Sequence, residues 1–136
     1  MLLIDLDNFK QVNDLSGHAM GDEVIRTVSL ALVRRLRSGD VAGRLGGDEF
    51  GILLRRVTGE EAVLVSHDLL AAVTDALALM DDEVARRVTL SVGIALVEGP
   101  LPGAGVLLER ADAAMYQAKR DGGARVALWS AMLARA

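Results

Sequence analysis

The run DVAGRLGGDEFGILLRR, Asp40 to Arg56, sets Gly46-Gly47-Asp48 between two short apolar stretches, which reads as a β-hairpin with its turn at or near the glycines. What flanks this hairpin restricts the fold further. Before it, Val24, Val28, Leu32 and Leu36 recur every four residues between Met20 and Arg37, an amphipathic helix that should stop close to Gly39. After it, Gly59 to Met80 reads as a second long helix, opened by Glu60 and Glu61, acids that favour a helix N-terminus. Leu2 to Leu6 is a short apolar run compatible with a buried strand, and Arg87 to Val97 carries β-branched residues throughout, a strand signal. Asp7 to Asp14 reads as a short helical segment with Asp7 as N-cap, and LSGHAMGD and EGPLPGAG as loops. A third helix, VLLERADAAMYQAKR, ends at Gly122-Gly123, and Val126 to Trp129 closes the sheet. The order β-α-β-β-α-β-α-β predicts an α+β domain with a ferredoxin-like core, its central, mostly antiparallel sheet flanked by helices.

The 136 residues make one domain, expected over 1–129, with 130–136 as a C-terminal tail. Hydrophobic residues are 51% of the chain and aromatics only 3%, so the core is aliphatic. No apolar run approaches the roughly 20 residues of a membrane span, and Asp5 and Asp7 interrupt the apolar start, so no signal peptide is read there. The absence of cysteine suits a cytoplasmic protein. A net charge of −4 argues against a general nucleic-acid binder, which needs a basic patch. The thirteen arginines outnumber the two lysines, Lys10 and Lys119. A strand that should be central begins at residue 2, so the expectation is a domain truncated at its N-terminus.

The carboxylates carry the chemistry. Asp5 ends the first strand, while Asp48 and Glu49 sit at the hairpin turn. If those strands are neighbours, three acids converge at one sheet edge, where none can be buried without compensation. Hard divalent cations take such oxygen ligands, usually one or two carboxylates together with substrate phosphates, and a pair of ions suits phosphoryl transfer. A lone acid at a turn is ordinarily just solvated. A Gly-Gly-acid-acid turn facing a strand-end aspartate favours the metal reading.

The sequence resembles the GGDEF domain, the catalytic domain of diguanylate cyclases, which join two GTP into cyclic di-GMP. Gly46-Gly47-Asp48-Glu49-Phe50 is its signature. DLDNFKQVNDLSGHAMGDEVI resembles the family's Asp-x-Asp-x-Phe-Lys-x-x-Asn-Asp and Gly-His-x-x-Gly-Asp blocks, and TLSVGIA and ADAAMYQAK resemble its late strand and last helix. The resemblance implies a nucleotide-cyclase palm fold with Asp5, Asp48, Glu49 and the Leu6 carbonyl as ligands of two Mg²⁺ or Mn²⁺ ions per site. Asp48 and Glu49 are then the catalytic pair, Asp48 being the candidate proton acceptor. Gly46 and Gly47 let the nucleotide approach closely, although a tight hairpin also favours glycine. Asn13 and Asp22 are implied guanine readers, Phe9 and Lys10 belong to the substrate segment, and Lys10 and Lys119 contact phosphates. Asp22 in a first helical turn also has a plain structural explanation. His18, in the Gly-His block, is read as structural, and His67 as a surface residue.

Two further features follow from the resemblance. The family continues Lys-x-x-Gly-Arg-Asn, whereas KRDGGAR puts Gly123 and Ala124 where Arg and Asn belong; Arg120 or Arg125 is left to compensate. A lost hydrogen bond to a charged group, about 1.5–3 kcal/mol, weakens GTP binding without abolishing it. Arg37 and Asp40 have the Arg-x-x-Asp spacing of the family's inhibitory site for cyclic di-GMP, though a helix-end arginine before a loop acid is the plain alternative. Where some relatives add an arginine from the next helix, this chain has His67 and Asp68. Each domain holds one GTP, so the implied catalyst is a transient homodimer, ordinarily paired by an upstream sensory or dimerising domain. The alternative is a weakly active or inactive GGDEF domain that binds cyclic di-GMP or GTP.

Overall fold

The structure is a computed structural model that describes residues 1–130. Residues 131–136, most of the expected tail, lie outside the described residues. Strand β1 (Leu2–Asp7) is the middle of a five-stranded sheet whose other strands are β2 (Val41–Arg44), β3 (Glu49–Leu53), β4 (Thr89–Ile94) and β5 (Arg125–Leu128). The order is β2-β3-β1-β4-β5, antiparallel throughout except for the parallel pair β4–β5. That pair is joined by helix α4 (Ala104–Arg120), the crossover that parallel strands require. The sheet is therefore mostly antiparallel, as the element order predicts.

The alternation of β1 sorts its residues between two layers. Leu2, Ile4 and Leu6 join the main core with Val24, Val28 and Leu32 of α2 (His18–Val33) and Leu69, Val73 and Leu77 of α3 (Gly59–Ala78). Leu3 packs on the opposite face with Ala95, Ala111 and Met115. Asp5 and Asp7 share the face of Leu3, beside α4. Helix α4 lies directly on β4, since a Cβ at Gly93 would run into the Ala111 carbonyl and the Met115 amide. A capping box starts α3: Thr58 Oγ1 accepts from the Glu61 N–H at 3.1 Å, and Glu61 Oε2 accepts from the Thr58 N–H at 3.2 Å.

Three local expectations are corrected. The stretch LSGHAMGD is nearly all helix: α1 (Phe9–Ser16) and α2 meet at Gly17, whose φ of 90° breaks the axis without a loop. Gly21 lies inside α2 as a packing residue, because a Cβ there would overlap the Asn13 amide of α1. Helix α2 also ends at Val33 rather than Arg37, and the chain continues in tighter turns through Leu36. Asp7 does not cap α1. That position falls to Asn8, at φ 66° with no side-chain cap bond, because the Asp7 carboxylate is drawn across the sheet instead.

Candidate active site

Strand register brings the predicted acids together. Asp5 and Glu49 are direct partners across the β1–β3 ladder, and the Leu6 N–H donates to the Asp48 carbonyl at 3.0 Å, tying the hairpin loop to the end of β1. The loop is held from within by Arg44, whose Nε donates to the Gly46 carbonyl at 3.0 Å and whose Nη2 donates to the Gly47 carbonyl at 2.6 Å. Sequence reasoning missed this brace, although its position at the end of β2 was the available signal. Neither Gly46 nor Gly47 has a positive φ, so the turn itself does not demand glycine. A Cβ at Gly47 would meet nothing within 4 Å, and one at Gly46 would only make ordinary contact with Glu49. The space beside both is open.

Asp5 is the strained member of the group. Its side chain is 21% exposed, Lys119 Nζ stands 3.4 Å from Oδ2, and Oδ1 is buried with no hydrogen-bond partner. Burial pushes its carboxyl up from 3.8 to about 6; Lys119 opposes this and Asp48 adds to it. Asp7 is the opposite case. Its Oδ1 accepts from Ser91 Oγ at 2.8 Å and Lys119 Nζ at 3.1 Å, and its Oδ2 from Thr89 Oγ1 at 2.7 Å and the Ala124 N–H at 3.0 Å. Burial works against its charge, yet the Ala124 N–H, the two hydroxyls and Lys119 together hold it below the usual carboxylate range. Lys119 likewise loses hydration, but Asp7 and Asp5 raise it above its ordinary value. Asp7 was missed as a site residue. The signal was its spacing, because residues two apart on a strand point to one face.

Asp5 and Glu49 thus lie in one register pair with Asp48 alongside. Among the described residues, no three His, Cys, Asp or Glu side chains are gathered closely enough to hold a metal ion by themselves. The unpartnered oxygen of Asp5 still fits a hard cation, which takes carboxylate oxygens and completes its shell with phosphates and water.

The other predicted residues fall into two places. Phe9, Lys10 and Asn13 lie on α1, which leaves directly from the acid end of β1. Lys10 is exposed, Phe9 is half-buried against the core, and Asn13 is packed on Gly21, one residue before the exposed Asp22. His18 opens α2 as an exposed residue, and His67 is exposed on α3. Arg37 and Asp40 form a separate turn. Asp40 accepts the N–H of Arg37 at 2.9 Å and of Arg55 at 3.2 Å, with Arg37 Nε 3.6 Å away, while Arg37 Nη2 donates to the Arg55 carbonyl at 2.9 Å. Burial of Asp40 is outweighed by those N–H groups and the Arg37 guanidinium, which hold its carboxyl low. A cavity of about 370 Å³ is lined there by Arg37, Asp40, Arg55 and Arg56, the last two unforeseen from the sequence. Asp68 is engaged by Arg35 at 3.1 Å.

At the family departure, Gly123 is buried at φ 72°, and a Cβ there would come within 2.9 Å of Asp7 Oδ2. The Gly123–Ala124 turn is thus fastened to β1 by its backbone.

Known proteins resemble this chain along nearly its whole length. Residues 1–125 match the family described as diguanylate cyclase, GGDEF domain. The chain is 39% identical over its full 136 residues to the probable diguanylate cyclase DgcE of Escherichia coli, of which it covers 12%. The chain thus spans only part of such relatives' length, and 34% of the diguanylate cyclase A of Treponema denticola. Among solved structures, the GGDEF domain of TpbB (YfiN) from Pseudomonas aeruginosa superposes with a TM-score of 0.85 at 36% identity, covering 95% of this chain and 80% of that one. The GGDEF domain of DgcB from Caulobacter crescentus, in complex with c-di-GMP, gives 0.83 at 30% identity, covering 93% and 75%. A signature at the β2–β3 turn, a β1 aspartate paired with it two residues before the strand ends and a match along nearly the whole chain lead to one conclusion: this chain belongs to the GGDEF family of diguanylate cyclase domains.

Proposed function

We propose that this domain is a diguanylate cyclase, condensing two GTP into cyclic di-GMP with release of two pyrophosphates. The observation that carries the reading is the register pair Asp5–Glu49 with the Asp48 carbonyl bonded to Leu6, beside an Asp5 oxygen that is buried and unpartnered. Asp5, Asp48, Glu49 and the Leu6 carbonyl are the residues that would hold two Mg²⁺ or Mn²⁺ ions. When bound, such ions neutralise the triphosphate and lower the pKa of the attacking 3′-hydroxyl. The chain's own residues do the rest. Asn13 and Asp22 accept the adjacent N1–H and amino donors of guanine, a pattern adenine lacks. Lys119 and Lys10 neutralise phosphate oxygens, and Phe9 supports the first turn of α1. The open side of Gly46 and Gly47 admits the nucleotide backbone. Each 3′-oxygen forms a bond to the other nucleotide's α-phosphorus as the bond to pyrophosphate breaks, and Asp48 accepts the hydroxyl proton. Two domains, each holding one GTP, must face each other, so a homodimer forms transiently and an upstream dimerising segment raises its effective concentration.

Arg37 and Asp40 are proposed as the inhibitory product site, with the guanidinium stacking on a guanine and the carboxylate accepting its donors. A domain without cysteine that consumes GTP suits the cytoplasm; among the described residues no helix is long and apolar enough to cross a membrane. A second reading, a GGDEF domain that binds cyclic di-GMP or GTP without turning it over, is favoured by Gly123 and Ala124, which supply no side-chain grip. Mass spectrometry of nucleotides after incubation with GTP and Mg²⁺, beside a control lacking GTP, separates the two. Cyclic di-GMP formed only with GTP, and lost in Asp48→Ala, supports the cyclase; product released equally from both samples supports the binding module.

A further inference from the structure

We propose that Arg125 is a phosphate-binding residue of this domain, gripping the nucleotide's phosphate chain beside Lys119; the assignment rests on the GTP-binding reading above. It follows from one row of the sheet. Glu49 partners Asp5, Asp5 partners Ser91, and Ser91 partners Arg125, so these residues lie in line across β3, β1, β4 and β5. Partners in adjacent strands project to the same face and stand about 4.8 Å apart. Arg125 therefore rises from the acid-bearing face, two strands and about 10 Å from Asp5. Arg125 is exposed, and its side chain bends back over the preceding turn. Arg125 Nε donates to the Gly123 carbonyl at 3.0 Å, and Nη2 lies 3.3 Å from the position a Cβ on Gly122 would take. The guanidinium is thereby folded over the turn whose Ala124 N–H is bonded to Asp7.

Charge supports the same assignment. A nucleoside triphosphate brings several negative charges to a site that already holds Asp5, Asp7, Asp48 and Glu49. Lys119 is shared between Asp5 and Asp7. Arg125 forms no ion pair among the described residues; its one bond is to a neutral carbonyl. With Nε so fixed, the outer edge of the guanidinium stays available for the two-pronged contact that arginine makes with phosphate oxygens. Arg120 is differently placed, over the Tyr116 ring at 6.0 Å on the exposed flank of α4. Gly123 completes the arrangement, because a side chain there would crowd Asp7.

Equilibrium binding of GTP, GMP and inorganic triphosphate, each with Mg²⁺, to the full chain and to Arg125→Gln, Arg125→Lys and Arg120→Gln tests the assignment. Arg125→Gln is expected to weaken GTP and triphosphate by about 10- to 100-fold, the range for a hydrogen bond to a charged group, while GMP stays within about twofold. Arg125→Lys should recover part of the loss, and Arg120→Gln should change nothing. GTP affinity unchanged in Arg125→Gln, or a loss shared equally by GMP, overturns the assignment alone. Wild-type protein that binds none of the three overturns the GTP-binding reading and this assignment with it.

Discussion

Replacing Asp5 with asparagine is expected to raise the stability of the metal-free protein at pH 7.5 and to abolish turnover. The Asp5 carboxyl titrates at about 6 instead of 3.8, chiefly because burial penalises its charge, with Asp48 adding to the penalty and Lys119 relieving part of it. Each unit of displacement corresponds to about 1.4 kcal/mol between the charged and neutral forms. The full displacement is therefore about 3 kcal/mol at the limit. Asp5 is 21% exposed and the variant also loses a Lys119 contact, so solvent screening and that loss reduce the expected gain to about 1–2 kcal/mol. The direction with pH is fixed by linkage. A carboxyl raised by folding favours the folded state most below its unfolded value, and that contribution is lost as pH rises through the folded value. Wild type and variant should therefore be equally stable near pH 4, diverge between about pH 4 and 6, and differ by a constant amount above pH 7. Urea unfolding in EDTA at pH 4.5, 6 and 7.5 reads the difference, and thermal unfolding at pH 7.5 should show a gain of roughly 4–8 °C. A variant less stable than wild type at pH 7.5, or a difference that does not change with pH, would refute the burial argument.

Asp7→Asn should act in the reverse sense: an amide cannot accept from both the Ala124 N–H and Lys119, so one donor faces another. A loss of about 2–3 kcal/mol in urea unfolding is expected at neutral pH, shrinking below about pH 4 as the wild-type carboxylate protonates through its lowered value. Gly93→Ala should cost at least about 2 kcal/mol, because its Cβ meets helix backbone rather than a movable side chain; circular dichroism melting reads it. Arg37→Ala should weaken cyclic di-GMP binding about 10- to 100-fold by calorimetry. The Asp40 turn should survive through the Arg37 and Arg55 backbone N–H groups.

Much of the site can be traced to local signals. The hairpin, the four-residue spacing of Val24, Val28, Leu32 and Leu36, and the β-branched run read over Arg87–Val97, of which Thr89–Ile94 is strand, each depend on neighbours in sequence, so local pattern identifies them. The reading of Leu15 to Asp22 as a loop fails for the same reason. Glycine content signals a break, but whether Gly17 or Gly21 makes it depends on Asn13 and Phe9 packing against one of them. Asp7 is the larger omission. Its partners Thr89, Ser91, Lys119 and Ala124 stand 82, 84, 112 and 117 positions away, beyond any spacing rule.

The sequence by itself determined the order of elements, the turn that carries Asp48 and leads into Glu49, and the family to which those residues point, because each is written in residues close together along the chain. Tertiary structure decided what the charges do. It set Glu49, Asp5, Ser91 and Arg125 in one row, gave Lys119 to two carboxylates at once, and left Asp5 reluctant to ionise while Asp7 was held as an anion. Both aspartates leave the same face of the same strand, each directly after an aliphatic residue. They differ because burial works against both charges, and the four donors to Asp7 outweigh it while Asp5 has too few; only the packed sheet supplies those donors.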